Sequence, residues 1–236
     1  MASAETGPTG DHTSPALPVG ARSAVAACPF TCAATVKALK PMHSKDPSLP
    51  LKQQLQGINI YLIGMMGCGK SSVGPALAEL LGYRFIDADG VIAAAAGCSI
   101  SEIFKTEGES GFRQLEGEVL QQISQWHSLV VATGGGVVTT TTNWGALRQG
   151  LVVWLQVEPA QLLERLEAQP GDRPLLQQAN PKEQLINLLQ EREHLYAQAD
   201  LQIAAGNCDP KALASKILAA LPGVLKPPGA PQTTAP

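Results

Sequence analysis

Residues 58–74 read INIYLIGMMGCGKSSVG: an apolar run, a glycine-rich turn and the opening of a helical pattern, in that order. Ile58 to Ile63 has the continuous apolar character of a strand, and Lys70 to Leu81 carries Val73, Leu77, Leu80 and Leu81 at helical spacing. Between them, Gly64-Met65-Met66-Gly67-Cys68-Gly69-Lys70-Ser71 satisfies G-x-x-x-x-G-K-[ST] at every fixed position. Phosphate oxygens must be met by several backbone N–H groups converging at a helix N-terminus, and only residues without side chains let a loop wrap that closely. In such a loop Lys70 reaches the β- and γ-phosphates and the Ser71 hydroxyl holds Mg²⁺. The alternative, a glycine-rich turn by chance, is disfavoured by the strand-loop-helix context.

Outward from this motif, strand and helix patterns alternate. Arg84 to Asp87 reads as a short strand, and Leu129 to Ala132 and Leu151 to Val157 as strands buried on both faces. Helical periodicity marks Ser99 to Glu107, Phe112 to Trp126, Pro159 to Ala168, Pro181 to Ala199 and Pro210 to Leu221, with a weak strand at Leu201 to Ile203. This alternation predicts an α/β sandwich around a mostly parallel sheet.

A generic phosphate-loop protein places a second Mg²⁺-associated Asp at the end of another strand. After Leu129 to Ala132 the chain gives Thr133-Gly134-Gly135-Gly136, with no acid. The acids follow the shorter strand as Asp87-Ala88-Asp89, where strand alternation points one carboxylate at a metal and the other at a substrate hydroxyl. The same D-x-D fits a capped helix N-terminus. The triple glycine is either a tight turn or a floor of bare backbone under a small ligand.

Composition bounds the rest. The chain of 236 residues has a net charge of −3, which gives no broad attraction to nucleic acid or anionic membrane. It has no apolar run of the ~18 residues a spanning helix needs. Five cysteines, an odd number in a chain large enough to bury a core, argue for a reducing compartment. Residues 1–56 are net +2, residues 57–221 net −6 and the tail from 222 net +1. Prolines concentrate outside the middle segment, so 57–221 reads as the folded domain and 222–236 as a disordered Pro-rich tail. The leader 1–56 is rich in Ala, Ser and Thr and poor in acids, the composition of an organelle transit peptide or of an extension without an address.

Together these residues resemble shikimate kinase of the plastid or cyanobacterial type. The resemblance runs from Ile58 to about Ile203 on GMMGCGKSSVG (64–74), FIDAD (85–89), SISEIFKTEGESGFRQLE (99–116), VVATGGGVV (130–138), DRPLL (172–176) and EREHLYAQAD (191–200). It implies a three-layer, nucleoside-monophosphate-kinase-like sandwich with a five-stranded, mostly parallel sheet and a lid. It also implies transfer of the ATP γ-phosphoryl group to the shikimate 3-hydroxyl, giving shikimate 3-phosphate and ADP for chorismate and aromatic amino-acid biosynthesis.

By the same resemblance, Gly67, Cys68, Gly69, Lys70, Ser71 and Ser72 cradle the ATP phosphates, and Ser71 with Asp87 serves Mg²⁺. Asp89 binds substrate hydroxyls and accepts or orients the departing proton. Arg113 and Arg192 hold the substrate carboxylate, and the backbone of Gly135 and Gly136 meets its hydroxyl side. Arg173 is the lid arginine over the phosphates, catalytic with Lys70 and Asp89, and Arg165 lies against the adenine. The implied partners are shikimate and ATP alone, the chain a monomer or weak homodimer, and its compartment the chloroplast stroma, with 1–56 as transit peptide.

Ser72 stands where the family more often has Thr, and Cys68 where it has a small residue. A thiol beside a helix N-terminus would make Cys68 sensitive to thiol reagents. Rival readings are another small-molecule kinase, of gluconate kinase type, and a catalytically silent relative. Lys70, Ser71, Asp87, Asp89, Arg113, Gly135, Arg173 and Arg192 all being in place speaks against the latter.

Overall fold

The three most apolar runs become the centre of a sheet. In the computed structural model, which describes residues 49–168 and 181–225, helix α1 (Leu49–Leu55) precedes strand β1 (Ile60–Ile63), whose four side chains are all buried. Helix α2 (Lys70–Leu81) leads to β2 (Arg84–Asp87), then α3 (Ala88–Ala96), α4 (Ile100–Ser124) and the buried strand β3 (Leu129–Ala132). After a short helix α5 (Asn143–Leu147) come β4 (Leu151–Gln156), α6 (Pro159–Ala168), α7 (Pro181–Tyr196), β5 (Leu201–Ala204) and α8 (Pro210–Ala220). The strand order is β2-β3-β1-β4-β5 and every pairing is parallel, with Tyr61 in register with both Val131 and Val152.

Alternation along the central strands feeds two cores, one on each face. Ile60, Leu62, Val130, Val153 and Leu155 face α2, α8 and α1 through Leu77, Leu81, Ile217 and Leu55. Tyr61, Ile63, Val131, Val152 and Trp154 face the other way, toward Ile92 of α3, Phe112 and Val119 of α4, and Leu147 of α5. The result is the expected three-layer α/β sandwich. Because β1 lies between β3 and β4, the loop that leaves it opens where the chain order of the sheet reverses, the usual place for a ligand crevice.

The sheet is wholly parallel among the described strands, in line with the mostly parallel sheet expected. Local structure departs from the periodicity reading at three points. Helix α1 lies in the segment expected to be leader, yet Leu55 is fully buried and Leu51 nearly so, because the N-terminal turns cover the end of the core beside α2. The two helices expected at 99–107 and 112–126 form one element, α4, broken at Gly108 with φ 69° and ψ −175°. That conformation is essentially confined to glycine, so the break belongs to this residue. Last, the D-x-D is not extended throughout: Asp87 ends β2 and caps α3, and Asp89 stands in the first turn of that helix.

Candidate active site

Gly69 is the N-cap of α2 with φ 100°, a left-handed conformation that turns the loop backbone into the helix. The loop thus delivers the first N–H groups of α2 to one point, as the motif predicts. Lys70 is buried, and its ammonium donates to the carbonyls of Gly64 at 2.8 Å and Met65 at 3.0 Å, with Cys68 Sγ at 3.6 Å. The Ser71 hydroxyl donates to Asp87 Oδ2 at 2.6 Å. Asp87 Oδ1 accepts from the backbone N–H groups of Asp89 and Gly90, at 3.1 and 3.4 Å, so capping α3 also fixes the carboxylate against Ser71.

A cleft of about 510 Å³ runs from this loop along α8, lined by Gly67 to Val73, Arg165, Asn207, Cys208 and Pro210. Arg165 does not hang free over it. Its guanidinium donates to the carbonyls of Gly67 at 3.3 Å, Ala205 at 3.2 Å and Gly206 at 2.6 Å, binding the phosphate loop to the end of β5. Cys68 is 1% exposed, so the expected reactive thiol is corrected: its sulfur is packed behind the loop, where a reagent cannot reach it without opening the loop.

On the other side of the loop, α3, α4, α7 and the triple glycine enclose a second set of charges. Arg113 on α4 donates from Nη1 to Glu116 at 2.8 Å and from Nη2 to Glu109 at 3.2 Å. A Cβ on Gly136 would lie within 2.6 Å of three atoms of that guanidinium, and one on Gly134 would lie 2.4 Å from Glu116 Oε1 and 3.0 Å from Asp89 Oδ1. The glycines are therefore a floor against which these charged groups pack, and they also make a turn, with Val137 N–H donating to the Gly134 carbonyl. Tyr196 on α7 donates a short hydrogen bond to the Gly135 carbonyl and stacks on Trp154 with ring centroids 5.7 Å apart. One α-helical turn before it, Arg192 is only 6% exposed.

Four buried polar atoms of this set have no hydrogen-bond partner among the described residues: Asp89 Oδ1, Arg113 Nε, Glu116 Oε1 and Arg192 Nη1. Leaving such atoms unmade costs ~1–3 kcal/mol each, more for charged groups, unless a ligand completes them. Two donors and two acceptors on one floor fit a small molecule that carries both an anionic group and hydroxyls. Burial raises the Asp89 carboxyl above its ordinary range, opposed by Lys70 and Arg113 and reinforced by Asp87. Burial likewise raises Glu116 against the pull of Arg113, and pushes the Tyr196 hydroxyl up to about 12.

Of the residues expected from sequence, Gly67 to Ser72, Asp87 and Arg165 come together around the cleft, and Asp89, Arg113, Gly135, Gly136 and Arg192 around the floor. Arg173 lies outside the described residues. The sequence reading missed Glu116, Glu109, Tyr196 and Gly134. Glu116 and Tyr196 were within reach of it, since they stand one helical turn from Arg113 and Arg192.

The molecule has known relatives. A family model described as shikimate kinase matches residues 66–222. The chain is 62% identical over 195 residues to a shikimate kinase of Synechococcus sp. (strain RCC307), covering 83% of this chain and all of the relative. It is 52% identical over 174 residues to one of Nostoc punctiforme, covering 73% of this chain and 96% of that one. Among solved structures it superposes on the shikimate kinase of Acinetobacter baumannii in complex with shikimate, with a TM-score of 0.70 and 42% identity over 74% of this chain and 99% of that one. With the phosphate loop, the capped D-x-D and the glycine floor in one fold, this chain belongs to the shikimate kinase family.

Proposed function

We propose that this protein transfers the γ-phosphoryl group of ATP to the 3-hydroxyl of shikimate, releasing ADP and shikimate 3-phosphate. The observation that carries the reading is the set of unpartnered donors and acceptors on the glycine floor beside a complete phosphate loop. The loop from Gly67 to Ser72 binds the phosphates, and the cleft with Arg165 receives the nucleoside. Arg113 and Arg192 take the substrate carboxylate, a planar anion matched to guanidinium forks. Asp89 and the backbone of Gly135 and Gly136 take the hydroxyl side.

In the reaction the substrate oxygen forms a bond to Pγ while the bond from Pγ to the bridging oxygen of ADP breaks. The proton of the hydroxyl passes to the Asp89 carboxylate, whose raised pKa brings its basicity closer to the working pH. Lys70 already carries its charge inside the loop; it exchanges the Gly64 and Met65 carbonyls for phosphate oxygens and neutralises the charge spread over them. Arg173 is assigned to the segment that closes over the phosphates, where excluding water keeps ATP from hydrolysis.

Ser71 and Asp87 fit a Mg²⁺ ion, since a hydroxyl and a carboxylate 2.6 Å apart are hard oxygen donors at the foot of a phosphate site. Held by Ser71 and Asp87, such an ion would supply neutralisation of the phosphate charge. The composition of the leader and the cyanobacterial relatives support the plastid stroma as compartment. A coupled ADP-release assay with shikimate, quinate and gluconate tests the activity. Release dependent on shikimate is expected, and its absence from folded protein would overturn the assignment.

A further inference from the structure

The glycine floor presents Arg113 already engaged by two acids, and the two are not equivalent. Glu116 is 2% exposed and held at 2.8 Å, whereas Glu109 is 55% exposed and held at 3.2 Å. The Arg113 side chain is 14% exposed, so this is not a surface pair of ordinary kind. In a guanidinium, the Nε and Nη2 hydrogens point to the same side and form the fork that grips a carboxylate with both oxygens. On Arg113, Nε is buried and without a partner among the described residues, and Nη2 is the atom given to Glu109. Glu109 thus occupies half of the fork while the other half stands unmet.

We propose that Glu109 is a placeholder carboxylate, which the substrate carboxylate must displace from Arg113 Nη2 to take the whole fork. This rests on the substrate reading given above. The permanent partner is Glu116, which orients the guanidinium from the buried side through Nη1. Glu109 holds the other edge in place until a better anion arrives. Its spacing favours that role: it lies four residues before Arg113 on the same helical segment, the stronger orientation of an acid–base pair on a helix, yet its exposure keeps the bond weak enough to exchange.

The exchange makes the site selective. A simple anion gains Arg113 only by releasing Glu109 and leaves Asp89, Glu116 and Arg192 unmet. An anion that also carries hydroxyls satisfies those groups in the same step.

Glu109→Gln keeps the shape of the side chain and removes the competing charge. We expect the dissociation constant of shikimate, measured by calorimetry on the full chain without nucleotide, to fall about two- to fivefold, the range for breaking one exposed ion pair. The gain should appear in KM and not in kcat. Arg113 labelling by phenylglyoxal in the ligand-free protein, mapped by mass spectrometry, should be faster in Glu109→Gln than in the parent, while Glu116→Gln should weaken shikimate binding.

Weaker or unchanged shikimate binding together with unchanged labelling of Arg113 in Glu109→Gln would overturn the placeholder. Failure of the parent chain to bind shikimate, with labelling of Arg113 still accelerated in Glu109→Gln, would overturn the substrate reading and leave the competition for Arg113 standing.

Discussion

Asp89 carries the largest conflict between stability and use. Its carboxyl is raised in the folded state, first by burial, so the folded protein holds a proton there that the unfolded chain releases. Stability therefore falls as pH rises from the ordinary carboxylate range through the raised value, and the penalty is fully present above it. Asp89→Asn removes a charge that folding must bury. It should raise stability at pH 7 by ~1 kcal/mol, seen as a higher Tm, with the advantage shrinking below the ordinary carboxylate pKa. The same change should cut kcat by about 10²- to 10⁴-fold while ATP binding is kept. A variant less stable at pH 7 would show that the ionised carboxylate is favourably held. Glu116 is shifted in the same direction for the same first cause, and it also orients the Arg113 guanidinium.

At the scale of elements, the break in α4 sets the orientation of the segment that carries Arg113. Gly108 separates the capped first turns, anchored by the Ser99–Glu102 box, from the segment bearing Glu109, Arg113 and Glu116. Nothing lies within 4 Å of a Cβ there, so Gly108→Ala would meet a backbone penalty and not a clash. It should cost ~1–3 kcal/mol in urea unfolding and raise KM for shikimate more than KM for ATP. Equal effects on both would place the joint outside substrate recognition.

Legibility in the sequence followed the same division. The phosphate loop could be read because its chemistry fixes Gly64, Gly69 and Lys70 by type and spacing. The central strands could be read because burial on both faces leaves only apolar residues. The helix after Asp87 was legible only as one of two readings of the D-x-D, because an aspartate suits both a strand end facing a metal and a helix cap. Glu116 went unread although it stands one helical turn from Arg113, because its burial leaves no mark on a polar-looking helix face.

For the molecule as a whole, the folded unit starts earlier than charge and proline content indicated. Leu51 and Leu55 lie in the core beside α2, and burying such a side chain is worth ~1.5–3 kcal/mol. A chain started at Gly57 should lose about 3–5 kcal/mol of stability and melt well below one started at Asp46. Equal melting would return α1 to the leader. The leader itself is tested by fusing residues 1–48 to a fluorescent reporter. Import into isolated chloroplasts with removal of the segment is expected, and retention outside would refute the address. Of the six arginines between 57 and 221, three, Arg113, Arg173 and Arg192, stand in the motifs that carry the family resemblance.

The three carbonyls gathered by Arg165 have a consequence for the order of events in the cell. They join the first turn after β1 to the end of β5, the last strand to be synthesised, while α8 packs its Leu213, Ala214 and Ile217 in the same core as Leu77 and Leu81 of α2. The wall of the nucleotide cleft is thus supplied by the final tenth of the domain. During synthesis the chain therefore carries the glycine loop well before the residues that complete the wall of this cleft.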